Sequence, residues 1–132
     1  MVGVGRPRVF VIDDEKPLGR VIWRGMSDAY DVVYESNPEA ALERLCRDDE
    51  RFDVIFLDII MPELNGILLF DELALRAPAR RDRVVFITGG AGIPAVADFI
   101  EKHHYIEKPF RLEELEATAD VYAASPLSRG PR

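Results

Sequence analysis

Five short apolar runs, separated by stretches of helical pattern, restrict this sequence to a narrow group of folds. The runs fall at 9–12 (VFVI), 30–34 (YDVVY), 54–57 (VIFL), 84–87 (VVFI) and 105–106 (YI). They are too short for helices and rich in β-branched and aromatic residues, so they read as strands. The run at 54–57 is continuous and apolar, as expected of a central strand covered on both faces.

The intervening segments carry helix signals. Pro17 opens the first helix, with Leu18, Val21, Ile22 and Trp23 as its apolar stripe and an end near Asp28. Asn37 and Pro38 form a cap and first helical position, followed by an apolar face of Ala40, Ala41, Leu42, Leu45 and Cys46. The charged run Asp48, Asp49, Glu50 and Arg51 closes that helix in solvent. Pro62 and Gly66 bracket a loop before a third helix at 67–76, which Pro78 ends. A short helix at 94–101 and a last one marked by Leu112, Leu115, Ala119 and Tyr122 complete a βαβαβαβαβα order. Such an order predicts an α/β doubly wound parallel sheet with right-handed crossovers and helices on both faces. Functional residues in such sheets lie beyond the carboxyl ends of the strands.

Asp13 and Asp14 follow the first strand, Asp58 the third, Thr88 the fourth and Lys108 the fifth. Each has an ordinary reading as a loop-starting acid, a strand-end or cap hydroxyl, or a surface lysine. Together they gather carboxylates, a hydroxyl and an ammonium at one edge of the sheet. Converging carboxylates repel and raise one another's pKa unless a cation intervenes. A hard Mg²⁺ ion, which takes a few carboxylates, carbonyls and retained waters, meets that need. Lys108 can neutralise a carboxylate or clamp a phosphoryl oxygen, and the Thr88 hydroxyl can hydrogen-bond one. The glycines after Thr88 leave a permissive loop.

The segments VFVIDDE at 9–15, FDVIFLDIIMPELNG at 52–66, FITGG at 86–90 and YIEKPF at 105–110 resemble those of response-regulator receiver domains of two-component signalling, the CheY-like fold. The resemblance covers 8–122 and leaves 1–7 and 123–132 as flexible termini or linker remnants. It implies a (βα)5 sheet of order 2-1-3-4-5. It also implies that Asp58 is the phosphoacceptor and that Asp13, Asp14 and the Ile60 backbone carbonyl join Asp58 around Mg²⁺. By the same resemblance Lys108 pairs first with the acceptor and then with the phosphoryl group. Thr88 and Tyr105 are the switch pair, and the partner is a histidine kinase or histidine phosphotransfer protein. The function implied is a phosphoacceptor switch with slow self-dephosphorylation rather than a conventional turnover enzyme. The stretch TGGAGIP with FIEKHHYIEKPF resembles receivers attached to hybrid histidine kinases. Lys108 lies only twenty positions after Thr88, so the fourth helix is expected to be short, shifted or mobile. Apolar Ile60 is expected to orient water poorly and lengthen the phosphoryl lifetime. Two rival readings are a phosphorylation-independent scaffold and a Mg²⁺-dependent phosphohydrolase. A cap domain or separate general acid for the latter is not evident.

Charge and composition narrow the classes further. With 17 basic and 24 acidic residues the formal net charge is −7, against direct nucleic-acid binding. Cys46 is the only cysteine, so no intrachain disulfide forms, and a small core residue is its expected role. There is no signal-peptide core and no membrane-length apolar run, so a cytoplasmic location is expected. No G-x-G-x-x-G or G-x-x-x-x-G-K pattern supports a nucleotide site. A flavin site fits the topology, but the acidic pair would oppose its phosphate. His103 and His104, read as neighbours in a strand, point to opposite faces and are expected to serve solvent or packing. Phosphorylation-promoted homodimerisation is expected on the face of the fourth helix, fifth strand and fifth helix.

Overall fold

The computed structural model describes residues 5–47, 49–61 and 65–125. Asp48, Pro62 and the termini 1–4 and 126–132, to which a helix end, a loop start and flexible ends are assigned above, lie outside the described residues. The strands are β1 (Arg8–Ile12), β2 (Asp31–Glu35), β3 (Val54–Asp58), β4 (Val84–Thr88) and β5 (Tyr105–Glu107). The helices are α1 (Lys16–Met26), α2 (Pro38–Cys46), α3 (Gly66–Arg76), α4 (Pro94–Ile100) and α5 (Leu112–Ala123). One parallel sheet of order β2-β1-β3-β4-β5 joins the strands, as the resemblance implied.

The period-2 alternation of the central strands builds two cores. Phe10, Ile12, Ile55, Leu57 and Phe86 face α2, α3 and α4. Val9, Val11, Phe56, Val85 and Ile87 face α1 and α5, where Ile22, Met26, Leu115 and Ala119 complete the packing. All five residues of β3 and of β4 are buried. Their ends therefore carry polar side chains into a well-fixed frame.

Local chemistry explains the element boundaries. Asn37 caps α2 by accepting the Ala40 N–H at 3.0 Å, and Asn65 caps α3 by accepting the Leu68 N–H at 2.9 Å. Glu114 accepts the Arg111 N–H at 2.9 Å, half of a capping box that opens α5. β2 begins one residue later than expected because the Tyr30 N–H still bonds the Met26 carbonyl at 2.9 Å.

Several expected faces need correction. On α1 the buried residues are Gly19, Ile22 and Met26, while Val21 is exposed and Trp23 is 50% exposed. The spacing 19, 22, 26 follows the helical period; position 21 projects away from it, and Trp23 lies on the flank of that face, where its large ring stays half exposed. Ala40 is exposed for the same reason, whereas Cys46 packs against the core as expected. Glu50 does not close α2 in solvent. It folds back onto Arg44 (2.6 Å) and Arg8 (3.4 Å). Pro78 ends α3 but opens a 3-10 helix, Pro78–Arg83, that the sequence pattern did not announce. Arg83 at its end is buried and donates to the carbonyls of Asp53 (3.0 Å), Tyr122 (2.6 Å) and Ser125 (2.7 Å), which fastens the end of α5. His103 and His104 precede β5 rather than lie in it. His103 stacks on Phe99 at 4.3 Å within a cluster that includes Phe70 and Phe86, and His104 Nδ1 lies 2.9 Å from the Tyr122 hydroxyl. α4 has seven residues, in line with the short Thr88–Lys108 span.

Among the described residues no helix is long and apolar enough to cross a membrane.

Candidate functional site

Four strand ends meet at one edge of the sheet. Asp13 follows β1, Asp58 is the last residue of β3, Thr88 is the last of β4, and Lys108 follows β5. Asp13, Asp14 and Asp58 each offer a carboxylate oxygen within 4.8 Å of the others. They open, with Glu15, Ile60 and Lys108, onto a cavity of about 550 Å³.

Asp13 is fully buried, and its Oδ1 accepts the Glu15 N–H at 2.8 Å. Its Oδ2 makes no aligned hydrogen bond and lies 3.0 Å from Lys108 Nζ. Asp58 is 2% exposed; its Oδ1 accepts the Ile60 N–H at 3.2 Å and its Oδ2 lies 3.5 Å from Lys108 Nζ. Lys108 also meets Glu15 Oε1 at 2.5 Å. One ammonium thus faces three carboxylates.

Electrostatics follow from that imbalance. Burial, then the charge of Asp13, pushes the Asp58 carboxyl up to about 7, with Lys108 and the Ile60 N–H opposing and Asp14 adding to the rise. Burial likewise raises Asp13 against the pull of the Glu15 N–H and Lys108. Burial disfavours the Lys108 charge, but the hydrogen bond to Glu15 and the close Asp13 and Asp58 carboxylates outweigh it and hold the ammonium above the ordinary lysine range. The peptide bond from Lys108 to Pro109 is cis.

This donor set fits a divalent cation. The carboxylates are hard oxygen ligands, they are close enough to share one ion, and a buried Asp13 oxygen lacks an aligned donor. Asp13, Asp14 and Asp58 form a Mg²⁺-coordinating site.

The Thr88 side chain is buried and its Oγ1 accepts the Gly90 N–H at 2.8 Å, which leaves the hydroxyl proton available to donate. It does not cap α4, whose cap is Ile93. The Thr88 carbonyl accepts the Lys108 N–H at 2.8 Å, so the ends of β4 and β5 are tied at this point. Tyr105 is 39% exposed and pairs in register with Phe86. Ile60 is 47% exposed, and its Cδ1 sits where a Cβ on Gly90 would come within 2.3 Å. Gly66 is required by close approach. A Cβ there would lie 2.2 Å from the Asp58 carbonyl oxygen.

Glu15 is the residue that sequence reasoning left without a role. The acidic run DDE was legible, but nothing in it announced that the third acid reaches across ninety-three positions to Lys108. Trp23, expected to pack, instead lines a second cavity of about 400 Å³ with Arg20, Arg24 and Tyr34.

A parallel (βα)5 sheet with an acidic, cation-binding edge is consistent with a phosphoaccepting, Mg²⁺-using signalling switch. Residues 9–120 match the response regulator receiver domain family, and the chain belongs to it. It is 32% identical over 113 residues to the response regulator receiver protein CpdR of Brucella abortus, covering 82% of this chain and 89% of that one. It is 33% identical over 118 residues to the response regulator MprA of Mycobacterium leprae, covering 83% of this chain but 48% of that protein. The chain therefore spans about half the length of MprA. Among solved structures it is similar to the non-phosphorylated HemR receiver domain of Leptospira biflexa, with a TM-score of 0.73 and 26% identity over 96% of this chain and 99% of that one. Receivers of this family have histidine kinases and histidine phosphotransfer proteins as their typical partners.

Proposed function

We propose that Asp58 is the phosphoacceptor and that 8–122 is the unit that receives and reports the phosphoryl group. The observation that supports this most is the placement of one buried carboxylate at the end of a fully buried strand, beside two more acids and 3.5 Å from an ammonium. A nucleophile so placed is rigid, and an ammonium already stands beside it before the donor arrives.

In the transfer, an Asp58 carboxylate oxygen bonds to phosphorus while the N–P bond of a phosphohistidine breaks. The electron pair of that bond stays on the imidazole nitrogen, and the product is an acyl phosphate. Lys108, already bound to Glu15 and Asp13, moves toward the new phosphoryl oxygens. Asp13, Asp14, Asp58 and the Ile60 backbone carbonyl would hold Mg²⁺, which would supply positive charge against the phosphoryl oxygens. The Thr88 hydroxyl donates to a phosphoryl oxygen and draws the Gly89–Gly90 turn inward. Because the Thr88 carbonyl holds the Lys108 N–H, the shift reaches β5, where Tyr105 turns from its exposed position toward the space vacated by Thr88. Phosphorylation then promotes pairing of two copies through α4, β5 and α5.

Intact-mass spectrometry after incubation with acetyl phosphate and Mg²⁺ tests this reading. One phosphoryl adduct is expected on the wild type, none after removal of Mg²⁺, and none on Asp58→Asn. An adduct of equal yield on Asp58→Asn would place the acceptor elsewhere.

A further inference from the structure

β2 ends beside the acidic turn and grips it twice. The Asp13 N–H donates to the Glu35 carbonyl at 3.3 Å, and the Tyr34 hydroxyl donates to the Asp13 carbonyl at 2.7 Å. That carbonyl belongs to the peptide unit joining Asp13 to Asp14. The unit is planar and includes both Cα atoms, so holding its oxygen restrains the positions from which both side chains project. The bond is made to the main chain, so it uses no carboxylate oxygen that a cation needs.

The ring reaches this carbonyl by passing over α1 at Gly19. A Cβ at Gly19 would lie 2.1 Å from the Tyr34 Cζ and 2.2 Å from its Cε1. Glycine inside a helix costs about 1 kcal/mol relative to alanine. Gly19 is buried in the middle of the first half of α1, where nothing about the helix itself calls for glycine. The clearance for the ring explains it.

We propose that Tyr34 is a positioning residue for the metal site. Its hydroxyl, admitted by Gly19, sets the Asp13–Asp14 peptide so that both carboxylates meet one divalent cation. This rests on the Mg²⁺-dependent phosphoacceptor reading above and adds to it a residue outside the acidic cluster.

Calorimetric titration with Mg²⁺ tests the proposal on the whole chain. Tyr34→Phe removes the hydroxyl alone and is expected to weaken Mg²⁺ binding several-fold. Gly19→Ala displaces the ring and is expected to weaken it comparably. Since both act on one bond, the double variant is expected to be no weaker than the weaker single variant. Tyr30→Phe is the control. It deletes a similar hydroxyl bond, to Asp120 Oδ1 at 2.8 Å, away from the site, and should leave Mg²⁺ affinity unchanged. Wild-type affinity in Tyr34→Phe overturns the proposal, as does an equal loss in Tyr30→Phe, which would mark the effect as general loosening. Independent, additive losses from Gly19→Ala and Tyr34→Phe also overturn it. Should Gly19→Ala fail to fold, Tyr34→Phe against Tyr30→Phe decides. A wild type that neither binds Mg²⁺ nor takes a phosphoryl group from acetyl phosphate would instead sink the underlying functional reading.

Discussion

Lys108 stands between Asp13, Glu15 and Asp58, and a single positive charge cannot satisfy all of them. Burial, and after it the neighbouring Asp13 charge, pushes the Asp58 carboxyl from an ordinary value of 3.8 up to about 7 in the fold. The sign of the linkage follows. A raised carboxyl pKa means that the folded state binds the proton more readily than the unfolded state, so this group's contribution to stability falls as pH climbs from about 3.8 to about 7. Asp58→Asn is therefore expected to stabilise the Mg²⁺-free protein at pH above 7, by roughly 1–2 kcal/mol, with the gain shrinking toward pH 5. Urea unfolding at the two pH values measures it, and a variant less stable than wild type at the higher pH would contradict the charge argument. The acids and the lysine themselves were legible from strand-end placement. Glu15 and Tyr34 were not, because their roles depend on contacts between β1, β2 and the segment after β5 that no local pattern encodes.

At the scale of elements, the strands read cleanly because buried parallel strands are apolar throughout, and α2 read cleanly because Asn37 and Pro38 mark its start. α1 misled because Val21 is apolar yet faces outward and Trp23 is only half covered at the flank, while the buried face includes a glycine that carries no hydropathy signal. The 3-10 helix was hidden for a different reason. Pro78–Arg83 is polar, and its order comes from arginines that reach distant groups rather than from an apolar stripe. The end of α2 shows the same principle. Arg44 holds Glu50 through two short contacts, 2.6 and 2.7 Å, while Arg8 adds a third at 3.4 Å. The hydrogen bond from Arg44, against the opposing effect of burial, lowers Glu50 from 4.5 to about 2. For a depressed carboxyl the stabilisation is full above about 4.5 and is lost as pH falls toward about 2. Glu50→Gln is expected to cost about 1 kcal/mol at pH 7 after solvent screening. The gap from wild type should close on acidification through that window. Denaturant midpoints for both proteins at neutral and acid pH provide the check, and a gap independent of pH would remove the ionic explanation.

For the whole molecule, the sheet has two edges with different tasks. β2 at one edge supports the acidic turn through Glu35 and Tyr34, while β5 at the other carries the exposed Tyr105 and is only three residues long. So short an edge strand offers little backbone for adventitious pairing with another sheet. The proposed pairing of two copies would therefore use side chains of α4, β5 and α5. In the proposed transfer, the Thr88 carbonyl to Lys108 N–H bond and the register pair Phe86–Tyr105 are the connections from the strand ends to that face. A charge event at the strand ends can then change which side chains the face presents without disturbing the two cores behind β3 and β4. Beryllofluoride with Mg²⁺ is expected to shift the protein toward dimer in multi-angle light scattering at high protein concentration. Tyr105→Ala is expected to reduce that shift while leaving phosphorylation by acetyl phosphate intact, since Tyr105 lies outside the acidic cavity. A wild type that stays monomeric with beryllofluoride would separate phosphoryl uptake from self-association and leave this face to a different protein partner.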